Sequence, residues 1–522
     1  MKGSKRDQIL SAYLLRIGIA VMVLLVAAYL YFRVDVSHGK AYSLGKYSRE
    51  TASKLQDRVV VKIYATKDLP GEFSTVHRYL KDVLTEFRRS GKGKFSFEYA
   101  RFKDAAELRE QAQINGLQPI PVQMYENDQI VMKEVILGVV FESQGRFDVM
   151  NIYPGLEPTL EYELTKRIQN IDGKLLPSVT VFQDSIYKYF PTQLITDELN
   201  DNYNVVVTDL DSLPRFNPVM LFTGVVASLS DTQLYNLDQY IMKGGKVVFL
   251  QDRINSDQNS AFTFDSNLFD LLAHYGVLVH PNMVLDRTGD VRSGRGLGQQ
   301  LPYPIYPIVR GMENSPITRG TDNTVMYFAS EIAPLDSVNI QFEPILQTSA
   351  DSGKLPGPNF NLEAVLFPQG GQYTLGKPPI TVAASVKGKL KSYFGDKPQL
   401  QKPGFIASRD NAAFTIFGDR ELYMDPDKPE FINRCYVVLN AIDHYLENPS
   451  MIRIRTRRMF SSRLDIPYYM YKKNIMPAEP LPVMNRIKAT FKAIAIALPP
   501  LMMLIMGLLV WLSRRPKGVH AS

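Results

Sequence analysis

The chain has 522 residues, 45% hydrophobic and 22% charged, a composition that excludes an intrinsically disordered polypeptide. Its 60 Lys and Arg against 53 Asp and Glu leave a net charge of +7, too modest and too dispersed to point to nucleic acid. The single cysteine, Cys435, excludes an intrachain disulfide, and its neighbours Tyr436-Val437-Val438-Leu439 suit a buried structural thiol better than a nucleophile.

Taken in chain order, the first feature is an apolar run from Ile9 to Phe32, matched near the other end by a second from Ala493 to Leu512. Each is long enough to cross a hydrocarbon core of ~30 Å as a helix. Lys2, Lys5 and Arg6 precede the first run, and Arg514, Arg515 and Lys517 follow the second. Cytoplasmic flanks collect basic residues, so both termini are expected inside and the middle outside, although Arg33, Arg486, Lys488 and Lys492 weaken the charge difference. The first run lacks a small-x-small cleavage site and reads as an uncleaved signal-anchor, with Arg16 snorkelling from its inner edge. Pro499 and Pro500 mark the second run with either a simple kink or a packing site for a multi-span partner. The expected layout is a tail at 1–8, a membrane helix at 9–32, domains at 33–175 and 176–450, a basic linker at 451–488, a membrane helix at 489–512 and a tail at 513–522.

The first domain opens with a β-branched strand, Val59–Tyr64, followed by helical spacing of apolar residues from Val76 to Phe87. Phe95–Tyr99 alternates as a strand. Asp104 opens a short helix that Asn115-Gly116 stops. Val122–Tyr125, a hairpin around Glu126-Asn127-Asp128, Glu134–Phe141 and a helix over Leu160–Ile171 complete it. This order of strands and helices is that of a thioredoxin-like domain, with Ile120-Pro121 at the position of a cis-proline. The segment after the first strand, Ala65-Thr66-Lys67-Asp68-Leu69-Pro70, has no cysteine, so thiol chemistry is excluded and a binding or spacing role is expected.

The second domain begins near Pro177. Strands are expected at Val179–Phe182, Val205–Thr208, Val219–Phe222 and Val247–Leu250, alternating with helices at Thr192–Asn200, from Ser230 through Met242, and at Leu268–Tyr275. Such alternation implies an open, mostly parallel sheet covered on both faces, of the flavodoxin or glutamine-amidotransferase kind. Residues 289–376 are rich in Gly, Pro and Tyr, as in Pro302-Tyr303-Pro304-Ile305-Tyr306-Pro307, and read as long ordered loops with a few strands. Regular structure returns at Ile380–Val386, Ala413–Phe417 and a helix over Phe431–Leu446.

Ligands of parallel α/β sheets bind beyond the carboxyl ends of the strands. The strands here run into Gln183 and Asp184, Thr223, then Gln251, Asp252 and Arg253, and finally Asp419 and Arg420. These eight residues make either a polar ligand crevice or the ordinary polar start of surface loops. No G-x-S-x-G elbow, H-E-x-x-H pair or G-x-x-x-x-G-K-[ST] loop occurs, so neither a metal, a cofactor nor intrinsic ATP hydrolysis is expected. Arg453, Arg455, Arg457 and Arg458 form a basic run ahead of the second apolar segment, suited to anionic headgroups or an acidic partner, or else to a solvated face.

Several segments, in order, resemble the auxiliary, substrate-binding-like subunits of bacterial ABC transport systems known from gliding-motility gene clusters, the Gld-type family. They are Ser37 to Leu44 with its K-x-Y-S-L pattern, Val60 to Pro70 followed by Val76 to Arg88, Gly371 to Phe394 with Lys387-Gly388-Lys389, and Ala413 to Leu446. The resemblance implies a bacterial cytoplasmic-membrane protein with a periplasmic body that associates with a separate ABC permease and ABC ATPase. It carries over no catalytic residue and leaves the ligand unspecified. Two other readings stand beside this non-enzymatic subunit. One is a membrane-tethered envelope glycan hydrolase using Asp184, Asp252 and Asp419, which requires carboxylates ~5–10 Å apart. The other is a pure scaffold between a transporter and a motility or secretion machine.

Overall fold

The computed structural model describes residues 43–126, 129–173, 176–184, 199–212, 217–256, 260–293, 300–319, 321, 323–335, 340–362, 374–422 and 431–456, with Met22 and part of 485–507. The chain divides into two units, Met1–Met459 and Phe460–Ser522. In the second, residues 485–493 and the described positions from 496 to 507 are helical. Among the described residues no helix is long and apolar enough to cross a membrane. Ile9–Phe32 lies outside the described residues except for Met22, and Ala493–Leu512 is described only in part.

The first unit opens with α1 (Lys46–Ser53), β1 (Val59–Ala65), α2 (Gly71–Ser90), β2 (Phe95–Tyr99) and α3 (Ala105–Ile114). There follow β3 (Ile120–Glu126), β4 (Gln129–Val135), β5 (Leu137–Ser143), β6 (Arg146–Asn151) and α4 (Leu160–Ile171). Period-two alternation buries Val59, Val61 and Ile63 of β1 on one face. Helical spacing buries Val76, Leu80, Leu84 and Phe87 of α2 against them, with α1 and α4 completing that layer. Glu72 in the first turn of α2 and Arg88 and Arg89 in the last complement its dipole. Asp104 caps α3 by accepting from the Glu107 N–H at 2.9 Å, and Leu108 and Ala112 cover the opposite face over Tyr64 and Val140.

The sheet order is β2-β1-β5-β6, with β2 parallel and β5 antiparallel to β1. The segment expected as one strand over Glu134–Phe141 breaks at Ile136. Its start closes the separate β3–β4 hairpin and its remainder is β5. This relocates Pro121, which pairs with Glu134 inside that hairpin and does not face β1. The expected cis bond at Ile120-Pro121 is therefore corrected: the cis peptide among the described residues is Gly357-Pro358.

The rest of the unit is built on β7 (Ser178–Phe182), β8 (Asn204–Thr208), β9 (Val219–Phe222), α5 (Asp231–Met242), β10 (Lys246–Leu250), β11 (Ile254–Ser256), β12 (Ser260–Thr263) and α6 (Asn267–His274). It continues through β13 (Val277–Val279), β14 (Asn282–Asp286), β15 (Gly289–Ser293), β16 (Gln300–Gly311), β17 (Thr324–Val325), β18 (Ile332–Pro334), β19 (Ile340–Gln347), β20 (Ser352–Pro356) and β21 (Asn359–Asn361). It ends in β22 (Thr381–Lys391), β23 (Ser408–Phe417), α7 (Phe431–Tyr445) and α8 (Pro449–Arg455). The helix expected over Thr192–Asn200 falls outside the described residues up to position 198.

The main sheet runs β15-β16-β19-β22-β23-β10-β9-β7-β8. It is parallel from β8 to β23, as expected, but antiparallel from β22 to β15. That half comes from neighbouring segments that reverse without a crossover helix, and it includes much of the stretch read as loops. Pro302 and Pro304 sit two apart in β16, so their missing N–H groups fall on one side of the strand. α7 packs on one face over Val248 and Phe417, and α5 and α6 cover the other over Val247 and Phe414. Ser230 and Gln233 close a reciprocal capping box at the start of α5.

Tyr162 of α4 carries the amino-terminal domain into the large-sheet core. Its hydroxyl donates to Asn202 Oδ1 at 2.8 Å, and its ring meets Tyr436 edge-on at 5.6 Å. Lys166 Nζ, buried beside it, reaches Asp201 at 3.0 Å and Glu163 at 3.2 Å.

Candidate functional site

Parallel strands β9, β10 and β23 lie side by side, so the residues leaving their carboxyl ends meet by topology. Gln251 folds back on the β9 loop: its Oε1 accepts from the Val225 N–H at 2.8 Å and its Nε2 donates to the Val225 carbonyl at 3.1 Å. Asp252 Oδ1 accepts from the Ile254 N–H at 2.9 Å, and Oδ2 accepts from the Arg420 N–H at 2.8 Å and from Arg420 Nε at 3.3 Å. Arg420 spends its other nitrogens on the carbonyls of Ile254 (2.7 Å) and Val225 (3.2 Å), with its guanidinium over the Phe264 ring. Asp252 and Arg420 are each 2% exposed. Burial pushes the Asp252 carboxyl above its ordinary range, against the pull of Arg420.

Asp419 is equally committed. Its Oδ2 accepts from the Tyr327 N–H at 2.8 Å and its Oδ1 from the Glu421 N–H at 2.6 Å. Thr223 Oγ1 donates to the Phe182 carbonyl at 2.7 Å, tying β9 to β7. Gly224 closes the arrangement at φ +94°, where a Cβ would stand 2.5 Å from Arg420 Cγ and 2.6 Å from the Leu250 carbonyl oxygen. Arg253 points outward to Asp265 at 2.6 Å and lies over Phe269. Gln183 and Asp184 are half-buried at the end of β7, where the Gln183 N–H donates to the Thr208 carbonyl at 3.1 Å.

The structure thus brings together Gln251, Asp252, Asp419 and Arg420, as the strand ends predicted, but as a closed knot. Each carboxylate oxygen of Asp252 and Asp419 already accepts from a backbone N–H group. The partners that close it, Val225, Ile254, Phe264 and Tyr327, contribute backbone groups or apolar rings. Such contributions leave no mark in sequence.

The basic run is divided. Arg453 is exposed, whereas Arg455 is buried, with its Nη2 on Asp443 Oδ2 and its Nη1 on Asn440 Oδ1, both at 2.7 Å. Its guanidinium lies over the Tyr162 and Tyr436 rings at 5.1 and 5.9 Å. Arg455 is thus removed from the expected membrane-facing patch, because α8 turns it inward, and the first residues of the expected linker, 451–455, belong to this helix. Arg457 and Arg458 lie outside the described residues. Among the buried carboxylates that sequence reasoning missed, Asp238 lies within α5 and Asp443 in the last turn of α7. Asp238 accepts from Tyr275 (2.7 Å), Ser392 (2.7 Å), Gln239 (2.9 Å) and the Tyr393 N–H (2.8 Å).

An open groove of about 680 Å³ lies in the amino-terminal domain, lined by Lys62, Tyr64, Tyr99, Arg101, Phe102 and Glu107 among others. Among the described residues no group of three His, Cys, Asp or Glu is gathered to hold a metal ion.

The family described as an ABC-type uncharacterized transport system matches residues 173–433, from the approach to β7 to the start of α7. A domain of unknown function, DUF7088, matches residues 38–142, up to β5. An uncharacterized protein of Borreliella burgdorferi is 20% identical over 394 residues, which cover 70% of this chain and 74% of that protein. Among solved structures, the mmIFT52 N-terminal domain aligns at a TM-score of 0.31 and 16% identity, over 52% of this chain and 97% of that domain, a score too low to argue from.

Proposed function

The chain belongs to the ABC-type uncharacterized transport system family, and from that premise we propose that it is a non-enzymatic auxiliary subunit of a bacterial ABC transport complex. In this reading Ile9–Phe32 and Ala493–Leu512 anchor it in the cytoplasmic membrane, and the globular unit stands on the periplasmic side. ATP hydrolysis and translocation belong to separate ATPase and permease subunits. The observation that carries the reading is the family match across the large-sheet domain. The closed Asp252–Arg420 knot supports it from the chemical side, since a strand-end hydrolase needs carboxylates open to substrate.

The amino-terminal domain enters the proposal as a thioredoxin-like module used for spacing or docking. The β2-β1-β5-β6 order supports that assignment, and a chain whose one cysteine is Cys435 has no thiol there. An association with gliding motility is the narrowest form of the proposal and rests on the order of the Ser37–Leu44 and Lys387–Lys389 segments.

The test is purification of the tagged full-length protein in a gentle detergent, with mass spectrometry of what accompanies it. A multi-span permease and an ATPase with a phosphate-binding loop are the expected companions. A folded preparation that recovers neither overturns the proposal.

A further inference from the structure

At the amino-terminal rim of the main sheet, opposite the Asp252–Arg420 knot, three cations gather, none of them held by a carboxylate among the described residues. Lys387 of β22 pairs directly with Ala413 of β23, and Lys246 of β10 stands one step before the Val247–Phe414 pair on the other side of that strand. Laterally paired residues project to the same face, so the two lysine side chains leave the sheet on either side of Ala413, on the face where α7 packs. Arg409 reaches the same rim from the other side. A register shift between Gly388 and Leu390 puts an extra residue into β23, and the Arg409 guanidinium lies against the turn that ends α5. A Cβ on Gly244 would stand 2.9 Å from its Nη2.

Among the described residues none of the three forms an ion pair. Lys246 Nζ donates to the Asn411 carbonyl at 2.8 Å. Asp410, beside Arg409 in sequence, is held by Lys389 at 3.0 Å. Glu343 lies on β19 opposite Ser385, diagonal to Lys387, and both act on His444. Burial, with Arg409 and Lys387 alongside, holds the Lys246 ammonium below its ordinary value. Repulsion of this kind is relieved by an anion placed among the three groups.

We propose that Lys246, Lys387 and Arg409 form a binding site for a phosphate-class oxyanion. Two flexible point donors and one planar fork suit a multiply charged tetrahedral group better than a carboxylate. The source of the phosphate is either a lipid headgroup or a soluble phosphate compound.

The experiment uses the full-length protein in a non-ionic detergent, titrated calorimetrically with pyrophosphate at low salt. Wild type and the distant control Lys81→Met bind alike. The double variant Lys387→Met/Arg409→Gln binds about tenfold more weakly or worse, as the loss of two charge-assisted contacts requires. Lys387→Arg/Arg409→Lys restores most of the affinity. Competition by dihexanoyl-phosphatidylglycerol assigns the site to lipid headgroups, and its failure to compete assigns it to soluble phosphates. Absence of pyrophosphate binding to wild type, or equal affinity in the double variant, overturns the proposal. Lys387 and Arg409 are exposed, so the variants keep the wild-type melting temperature. If the double variant melts early, the single variants carry the same comparison.

Discussion

Asp252 is a buried acid whose ligands are all supplied by its own chain: two backbone N–H groups and the Arg420 side chain. Removing it strands a guanidinium in the interior, so Asp252→Ala is expected to lower unfolding free energy by about 3–5 kcal/mol. Chemical denaturation checks this; a fully stable variant would place Asp252 outside the structural role given it here. Glu331 gives a prediction in pH. Burial alone would raise its carboxyl, but Lys354 and Asn282 outweigh that and hold it below its ordinary value of 4.5. The unfolded chain therefore takes up the proton first as pH falls, and the stabilisation is present above 4.5 and lost as pH drops through the folded value. The stability gap between wild type and Glu331→Gln should narrow across that window in acid denaturation series. That polar residues follow buried strands was legible in the chain itself. Whether they face water or one another was not, because Arg420 and the Tyr327 segment lie remote in sequence from β10 and from each other and meet only in the fold.

At the scale of the element, α8 shows how one pattern divides into two roles. Arg453 and Arg455 are two residues apart, about 200° around a helix, so one faces solvent and the other the core. A basic run read as a stripe carries no information on that phase until the helix is placed. Arg455→Met leaves Asp443 buried and unpaired at a cost of about 3–5 kcal/mol, and Asp443→Leu/Arg455→Met should recover much of it. Equal destabilisation in the single and double variants would dismiss the coupling. Helices and parallel strands were legible because amphipathic spacing and β-branched runs are local signals: α2, α5 and β10 hold the positions expected of them. The Pro- and Tyr-rich stretch was not, since β16 is a strand by virtue of its partners β15 and β19 rather than its composition.

For the whole molecule, the decisive contact is Tyr162, which belongs to the amino-terminal domain by sequence and to the large-sheet core by packing. Wild type is expected to unfold its two described domains in one calorimetric transition. Tyr162→Ala, which removes the ring and its hydrogen bond to Asn202, should split that transition into two. A single unchanged peak in the variant would show that the remaining contacts suffice. By itself the sequence determined the α/β class, the run of strands in the parallel half and the family resemblance. All of these follow from residue type and short-range periodicity. Only the tertiary structure decided that the sheet turns antiparallel, that Asp252 and Asp419 are sealed, that Arg455 is internal, and that Lys246, Lys387 and Arg409 share a rim. Each of those depends on which distant strands become neighbours, and strand pairing is set by burial across the whole fold rather than by any local stretch of chain.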